Sequence, residues 1–562
     1  MKIKKDPGSI YQEYLNDIDY KTTMGFVAKW PEFTRFIEGK QWPPPTEDTK
    51  YMPRPVINIC DQTVENKRSN ILSQQLKMQF RVKELPVGGD QEENQVYEDY
   101  AKDFTDMAEN TWYDIDQDTL IKEKTNDAIS LGTGVSHFYF DNSFIGGTFQ
   151  KYVGKMKGEI IDPMDMILGN NQLKPYQIQM QPFIILKKRE DFNNTIETAK
   201  KRGKDWQLIK PDPTTADENE KYESARVESK NSKEVTTFTK YYKVKGEVWW
   251  VKVTKNATVV KASRLSPEPK CKFKLYPVDM LGLKRRRKSA YYRSLIEDII
   301  PNQKSLNWGM GMQLLAVQQT AWPKIIAKVN ALSQTITNTP GEILTDNYNG
   351  GGDGFKYMQM PNTPNTAPAL TQTLLDYTRS VTGVTEVSTG EQIGANMAAA
   401  AIIALQNQAQ RPNDDYMKDV VASVKREGEI WEQFFKCFYN FPRTIKGKDD
   451  EGKEMFKSFD GKIARDIEFD LMVDVGPAST YSESLQVAIL DTYADRQWID
   501  KFDHIKYMPK NSIPQGLREQ VEKERETMAE QEQQVNDVMS QLTPEEKQAV
   551  EQNPALLDGL GV

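Results

Sequence analysis

Apolar residues along this chain change their period several times, and each change marks an element. From Ser289 to Phe441 they recur at helical spacing, stop, and recur again. Leu306, Met310, Leu314, Val317 and Ala321 stand three and four residues apart, which predicts an apolar face on a helix over 289–320. A β-rich excursion follows from Trp322 to about Asn365 and holds Gly350, Gly351, Gly352, Asp353 and Gly354. Pro368 to Val381 predicts a second helix. Thr389, Gly390, Glu391, Gln392, Gly394 and Asn396 sit in a loop of small residues, and the alanines from Ala398 to Ala401 open a third, long helix. Two helices side by side, holding something at their far end, predict a mechanical element rather than an active site.

The rest of the chain reads as support for that element. Ile10, Tyr14, Ile18, Val27, Trp30, Phe33 and Phe36 predict helix over 9–39, closed by Gly39. Gln41-Trp42-Pro43-Pro44-Pro45 is a stiff loop, because each proline fixes φ and restricts its predecessor. Pro55-Val56-Ile57-Asn58 opens a helix, and a strand is expected at Gln79 to Leu85. Residues 91–131 read as helix, broken by Gly132-Thr133-Gly134, before alternation from Val135 to Phe140 predicts a strand. Glu159 to Leu168 reads as strand, turn, strand. The polar stretch 204–235 reads as a long loop or disordered insertion, and 236–276 as strands again. Beyond the central stretch a strand is expected at Ile467 to Val475, a helix from Ser482 to about Arg496, and a polar helix from Gln515 to Leu542.

Charge narrows the function classes. Lys and Arg number 74 against 81 Asp and Glu, a formal net charge of -7 in 562 residues. A protein that lives by sequence-independent nucleic-acid binding carries a basic excess, which is missing here. From residue 515 onward acidic residues outnumber basic ones by about seven, so the tail carries most of the imbalance. The three cysteines, Cys60, Cys271 and Cys437, have no CxxC or Cys/His spacing, so neither a disulfide framework nor a zinc site is expected. No signal peptide and no transmembrane run is expected, so a soluble protein or part of a soluble assembly is.

Candidate chemistry is sparse. His137 sits mid-strand and reads as a packed residue rather than a catalytic one. Gly147 to Gly154-Lys155 mimics a phosphate loop with the wrong spacing, and Met156 replaces the Ser or Thr that would bind magnesium. Lys284, Arg285, Arg286, Arg287 and Lys288 form the densest basic run, a candidate DNA or partner contact against the plainer reading of a solvated loop. Asp414-Asp415 resembles a metal dyad but fits better as the first turn of a helix bent at Pro412. No catalytic residue, metal or cofactor is expected.

Several stretches together resemble the portal proteins of tailed bacteriophages. They are Phe36-Ile37-Glu38-Gly39-Lys40-Gln41-Trp42, Pro55-Val56-Ile57-Asn58, Leu131-Gly132-Thr133-Gly134-Val135, Ile161-Asp162-Pro163-Met164-Asp165, and above all Leu295 through Pro301-Asn302-Gln303 to Asn307. Thr382-Gly383-Val384 leading to Ala398-Ala399-Ala400 completes the set, and the likeness spans roughly residues 30–500. The resemblance implies a helix-rich α+β subunit. Its parts would be a wing over 1–288 with more wing strands and a long kinked helix over 400–480, stem helices over 289–320 and 367–385, a clip over 321–366, a tunnel loop over 386–399, and a helical crown with an acidic tail over 481–562. Gln303, Asn307, Met310 and Leu314 would pack the stem; Gly350 to Gly354 would mark the clip tip; Thr389 to Asn396 would face the channel.

The same resemblance implies partners and place. Portal subunits form a ring, about twelve copies in the virion, at one capsid vertex. Double-stranded DNA is packaged and ejected through it. The clip meets the packaging terminase and later the head-tail adaptor, and the major capsid protein surrounds the wing. Assembly in the host cytoplasm and no membrane contact are expected. The residues agree in one respect: a ring subunit needs rigid helices and a mobile small-residue loop, not catalytic groups. Gly309 and Gly311 each cost about 1 kcal/mol within a helix, which close approach of a neighbouring helix would offset. Two other readings stay open at this point, a phage scaffold or tail protein without DNA passage, and a nucleic-acid-processing enzyme.

Overall fold

The computed structural model describes residues 4–47, 49–84, 91–147, 151–204, 206–212, 234–321, 325–328, 354–357, 366–382, 399–448 and 454–475, with scattered positions between 487 and 521. It divides into two units, one of 1–72 and 77–474, the other of 73–76 and 475–562. The mixture of helix and strand is that of an α+β protein.

The larger unit opens with α1 (Pro7–Thr23) and α2 (Phe26–Ile37). The expected single helix is two, because Gly25 turns left-handed at φ 78° between them. Next come α3 (Ile59–Ile71), capped by the Asn58 side chain, and β1 (Leu76–Val82), three residues earlier than its alternation suggested. α4 (Gln91–Asp114) and α5 (Gln117–Ser130) share the expected helical stretch, parted at Asp116.

Two sheets follow. β2 (Gly134–Gly146) and β3 (Tyr152–Ile161) make a hairpin, with β9 (Val278–Leu281) on the far side of β2. Gly147 and Gly154-Lys155 belong to that hairpin, and Lys155 pairs with Asp114 at 3.0 Å. The second sheet has the antiparallel order β4 (Met166–Leu168), β5 (Phe183–Asp191), β6 (Glu234–Val244), β7 (Glu247–Thr254), β8 (Thr258–Arg264). Its strands alternate between two apolar cores. Phe238, Tyr242, Val251 and Val253 face Ile10 and Tyr14 of α1. Val235, Val259 and Val260 face Ala199 of α6 (Phe192–Lys201) and Ile209. The polar stretch 204–235 is therefore anchored at both ends, with Ile209 buried and Glu234 paired to Asp191; positions 213–233 lie outside the described residues.

The remaining elements are α7 (Ile300–Ala321), the pair β10 (Ile325–Ala327) and β11 (Phe355–Tyr357), α8 (Thr366–Thr382), α9 (Ala399–Phe438), the hairpin β12 (Arg443–Lys448) and β13 (Glu454–Phe459), and β14 (Phe469–Val475) beside β1. α9 is one helix of 40 residues that runs through Pro412. Its last turns are buried among rings: Trp431 meets Trp112 and Phe138, Phe435 meets Phe104 and Phe459, and Phe434 meets Phe273.

Three further expectations need correction or fall outside. The helix expected from 289 begins at Ile300. The Ser289 and Ser294 hydroxyls accept the amide hydrogens of Tyr291 and Ile296, a local alternative to helical hydrogen bonding. Cys271 and Cys437 form a disulfide although no spacing pattern announced one. Of the helix expected from Ser482 to about Arg496 the described positions 487 and 490–494 are helical, whereas the helix expected from Gln515 is described only at 520 and 521; the smaller unit also holds a short helix, Lys501–Tyr507, where His504 meets Asp491 at 2.9 Å.

Candidate functional site

The stretches Phe36–Trp42, Pro55–Asn58 and Pro301–Asn307 are far apart in sequence and meet at the root of α7. Gln303 is fully buried there. Its Nε2 donates to the Ile57 carbonyl at 2.6 Å and to Asn307 Oδ1 at 3.0 Å, while its Oε1 accepts the Ile59 amide at 2.9 Å. Asn307 Nδ2 donates to Gln41 Oε1 at 2.6 Å. Gln41 Nε2 donates to the Phe36 carbonyl at 2.7 Å and to Asn58 Oδ1 at 2.9 Å. Asn58 Nδ2 closes the chain on the Ile37 carbonyl. Four amide side chains thus join the end of α2, the start of α3 and the first turns of α7. An amide carries donors and an acceptor on one planar group, which suits a relay between frayed helix ends.

Above this root α7 leaves the body. Leu306 is buried, Met310 half-buried, Leu314 40 % exposed and Val317 65 % exposed. Trp308 and Met312 are exposed as well, although Trp308 leans on Trp42 at 5.4 Å. α8 packs beside α7 through a small polar contact. Gln313 Nε2 donates to Thr371 Oγ1 at 2.7 Å, and a Cβ on Gly309 would stand 3.5 Å from that hydroxyl. Leu370 and Tyr377 of α8 are exposed. The two helices thus meet through a polar contact and leave these apolar side chains exposed.

The excursion between them is described only at its base, where the Lys328 amide donates to the Gly354 carbonyl at 2.8 Å. Gly350, Gly351, Gly352 and Asp353 lie outside the described residues, as do Thr389, Gly390, Glu391, Gln392, Gly394 and Asn396.

The basic run splits in two. Lys284 pairs with Asp298 at 2.7 Å, and Arg286 pairs with Glu297 at 3.0 Å and lies over the Phe26 ring. Glu297 also takes Lys29 and Arg293. Burial pushes the Glu297 carboxyl up, and these cations more than reverse it, holding its pKa below the usual carboxylate value. Arg285, Arg287 and Lys288 are exposed. Asp414 and Asp415 are exposed on α9, where Asp415 pairs with Lys418.

Two buried polar clusters gave no local sequence signal. Lys124 lies among Ser136, Asp279, Ser423 and Glu427, within 2.6 to 2.9 Å of each. Arg426 adds a second cation on Asp279, and Gln117 donates to Glu427. Two cations and two carboxylates thus lock α9 to α5, β2 and β9. His137 is buried between the sheets, with Nδ1 2.6 Å from Glu159 and Nε2 3.0 Å from the Tyr241 hydroxyl. Burial lowers the His137 pKa, so the ring is neutral near pH 7. An ionised carboxylate only accepts, so Nδ1 carries the hydrogen and Nε2 accepts from Tyr241. His137 thus has a role in joining the sheets, and both ring nitrogens are engaged.

None of this arranges a nucleophile beside a base around an open cleft. Nor is any described helix long and apolar enough to cross a membrane. What the residues build is a rooted pair of helices with apolar side chains exposed along them.

Comparison with known proteins accords with that picture. No curated protein matches the chain. The family model described as phage P22-like portal protein matches residues 188–557, from within β5 through α7, α8 and α9 into the acidic tail. That stretch is well over half of the chain and holds the whole helix pair with its excursion, and the chain therefore belongs to the phage P22-like portal protein family.

Proposed function

We propose that the chain is the subunit of a ring at one capsid vertex, through which double-stranded DNA is packaged and ejected. The observation that carries this reading, beside family membership, is the set of exposed apolar side chains around the two helices, Trp308, Met312, Leu314 and Val317 of α7 with Leu370 and Tyr377 of α8. Apolar surface of this kind on a lone chain calls for a cover. Neighbouring copies around a closed ring would supply it at every position, since a cyclic assembly repeats one heterologous contact.

In this reading α7 and α8 are the stem, 321–366 the clip that meets the packaging terminase and head-tail adaptor, and 386–399 the tunnel loop. The acidic tail belongs to the crown, and the outer parts of the larger unit face the major capsid protein. The stretch Val387 to Ala401 contains no Lys or Arg and one charge, Glu391. One lysine facing a channel would become a belt of cations, each able to neutralise a phosphate and hold the DNA.

Electron microscopy and mass measurement of the purified full chain test the proposal, with Val317→Glu beside it. Rings with a central hole are expected from the wild type, and smaller species with unchanged thermal unfolding from the variant. A wild-type monomer or an open filament would overturn the reading. Glu391→Lys is expected to leave rings intact and to slow packaging or ejection, most at low salt.

A further inference from the structure

The Cys271–Cys437 bond joins residues 166 positions apart, with Cα atoms 5.4 Å apart. The covalent loop it closes contains β9, α7, β10, β11, α8 and α9 up to its final residue. Everything that the proposed ring would use as stem, clip and tunnel loop lies between Cys271 and Cys437 in the sequence. The bond thus links the chain on either side of that segment.

The fold brings the two cysteines together without help from the bond. Gln433 Oε1, one turn before Cys437, accepts the amides of Lys274 and Leu275 at 2.7 and 3.1 Å. The Phe273 ring packs on Phe434 at 4.9 Å and on Phe438 at 6.2 Å, and the Phe273 carbonyl accepts the Val248 amide at 2.7 Å. Arg465 reaches both sides: its guanidinium pairs with Glu268 at 2.7 Å and donates to the Lys436 carbonyl at 3.0 Å. Contacts on either flank hold the two backbone segments together, so reduction needs only a side-chain rotation that parts the sulfurs.

Access is one-sided. Cys271 is 9 % exposed and Cys437 1 %. The exposed Lys270 and Lys272 flank Cys271 in sequence. The third cysteine does not compete, because Cys60 is fully buried and burial pushes its thiol up to about 12.

We propose that Cys271 and Cys437 are a redox staple, open as two thiols while the chain folds in a thiol-rich compartment and closed afterwards by exchange with a small-molecule disulfide. The Cys271 thiolate attacks one sulfur of that disulfide and releases one small thiol. The Cys437 thiolate then attacks the Cys271 sulfur and releases the second. Two protein thiols are oxidised, one small disulfide is reduced to two thiols, and no other oxidant is needed. Closure restricts the open chain across a long loop and pins the end of α9 to the loop before β9. The proposal concerns the larger unit alone and holds whether or not the chain forms rings.

The test uses the full chain prepared under dithiothreitol, half of it then treated with glutathione disulfide. Peptide mapping without reduction is expected to show a 271–437 link only in the treated half, with Cys60 unmodified in both. The treated form should unfold about 3 °C or more higher and exchange its amides near 271 and 437 more slowly. Dithiothreitol should reverse both changes. The double variant C271S/C437S should behave as the reduced form under either treatment. If the double variant fails to fold, the wild-type pair of states decides alone. Absence of the link, a link that dithiothreitol cannot open in the folded chain, or equal unfolding and exchange in both forms would each overturn the staple.

Discussion

The Pro53 carbonyl oxygen lies so close to α7 that a Cβ added to Gly311 would stand 2.9 Å from it, with Met52 Cε at 3.0 Å and the Trp42 ring at 3.3 Å. The element that approaches is the proline-rich loop, whose Trp42 donates to the Pro55 carbonyl. Gly309, two residues away, meets α8 at ordinary contact distance. The two glycines therefore separate under one substitution. Gly309→Ala should gain up to about 1 kcal/mol from helix propensity. Gly311→Ala should lose roughly 1–3 kcal/mol net, because backbone must move to admit the methyl. Denaturant unfolding of both variants checks this, and a stabilised Gly311→Ala would show that the loop gives way freely.

The basic run predicts a second contrast. Arg286 lies on Glu297 and Phe26, so Arg286→Ala should lower stability by about 1–2 kcal/mol, from lost hydrogen bonding to a charged group and lost ring contact. Arg287 is exposed, and Arg287→Ala should leave unfolding within about 0.5 kcal/mol of wild type. If this surface touches DNA or another protein, salt-dependent binding should weaken in the Arg287 variant without any loss of stability. Equal melting of the two variants would show that Arg286 is not a structural residue.

This contrast shows where sequence reading stopped. Local signals were legible wherever a few neighbouring residues decide the outcome. The break at Gly132, the strand and turn through Asp162, α8, and α7 from Ile300 onward were of that kind. Gln303 and Asn307 stood out in their motif, but their partners Gln41, Asn58 and the Ile57 carbonyl come from another part of the chain. Spacing also failed at Ser289 to Ile299, where apolar residues at helical intervals are buried in irregular backbone held by serine hydroxyls. The cysteine pair and the charges around Lys124 are long-range by nature. Each member is unremarkable in its own window, and only the fold makes it a pair.

His137 and Glu159 predict an acid response in two steps. Burial lowers the His137 pKa beneath its ordinary value near 6.5, so the folded chain favours the neutral ring. That contribution is complete above about pH 6.5 and declines as pH falls through the lowered value. Burial pushes the Glu159 carboxyl up, but His137 and Lys188 outweigh it and bring its pKa down to about 2. Its contribution is present above the ordinary carboxylate value near 4.3 and is lost between there and about 2. Asp141, paired with Lys157 at 2.7 Å, also has its pKa lowered to about 2, so variants rather than the wild-type curve carry the test. His137→Gln should flatten stability against pH in the upper range, and Glu159→Gln in the lower. Parallel curves for wild type and both variants would place the acid response elsewhere.

Lys124 makes the strongest prediction about α9. It is the cation that Asp279 and Glu427 share, at 2.8 and 2.6 Å, and all three side chains are almost wholly buried. Lys124→Met would leave Asp279 with Arg426, but Glu427 would keep only the neutral donors Gln117 and Ser136. A buried carboxylate stripped of its cation costs about 3–5 kcal/mol. Glu427→Gln alone should also destabilise, since Lys124 then loses one of its two counter-charges. Made together, the substitutions remove one charge of each sign and leave Asp279 paired with Arg426. The double variant should therefore lose about 1–3 kcal/mol less than the sum of the single losses. Urea unfolding across the four proteins of this cycle reads the coupling directly. Additive losses would mean that Lys124 serves Asp279 alone, and that Glu427, Ser423 and α9 are held to the sheet by packing around Trp431 rather than by the charge they enclose.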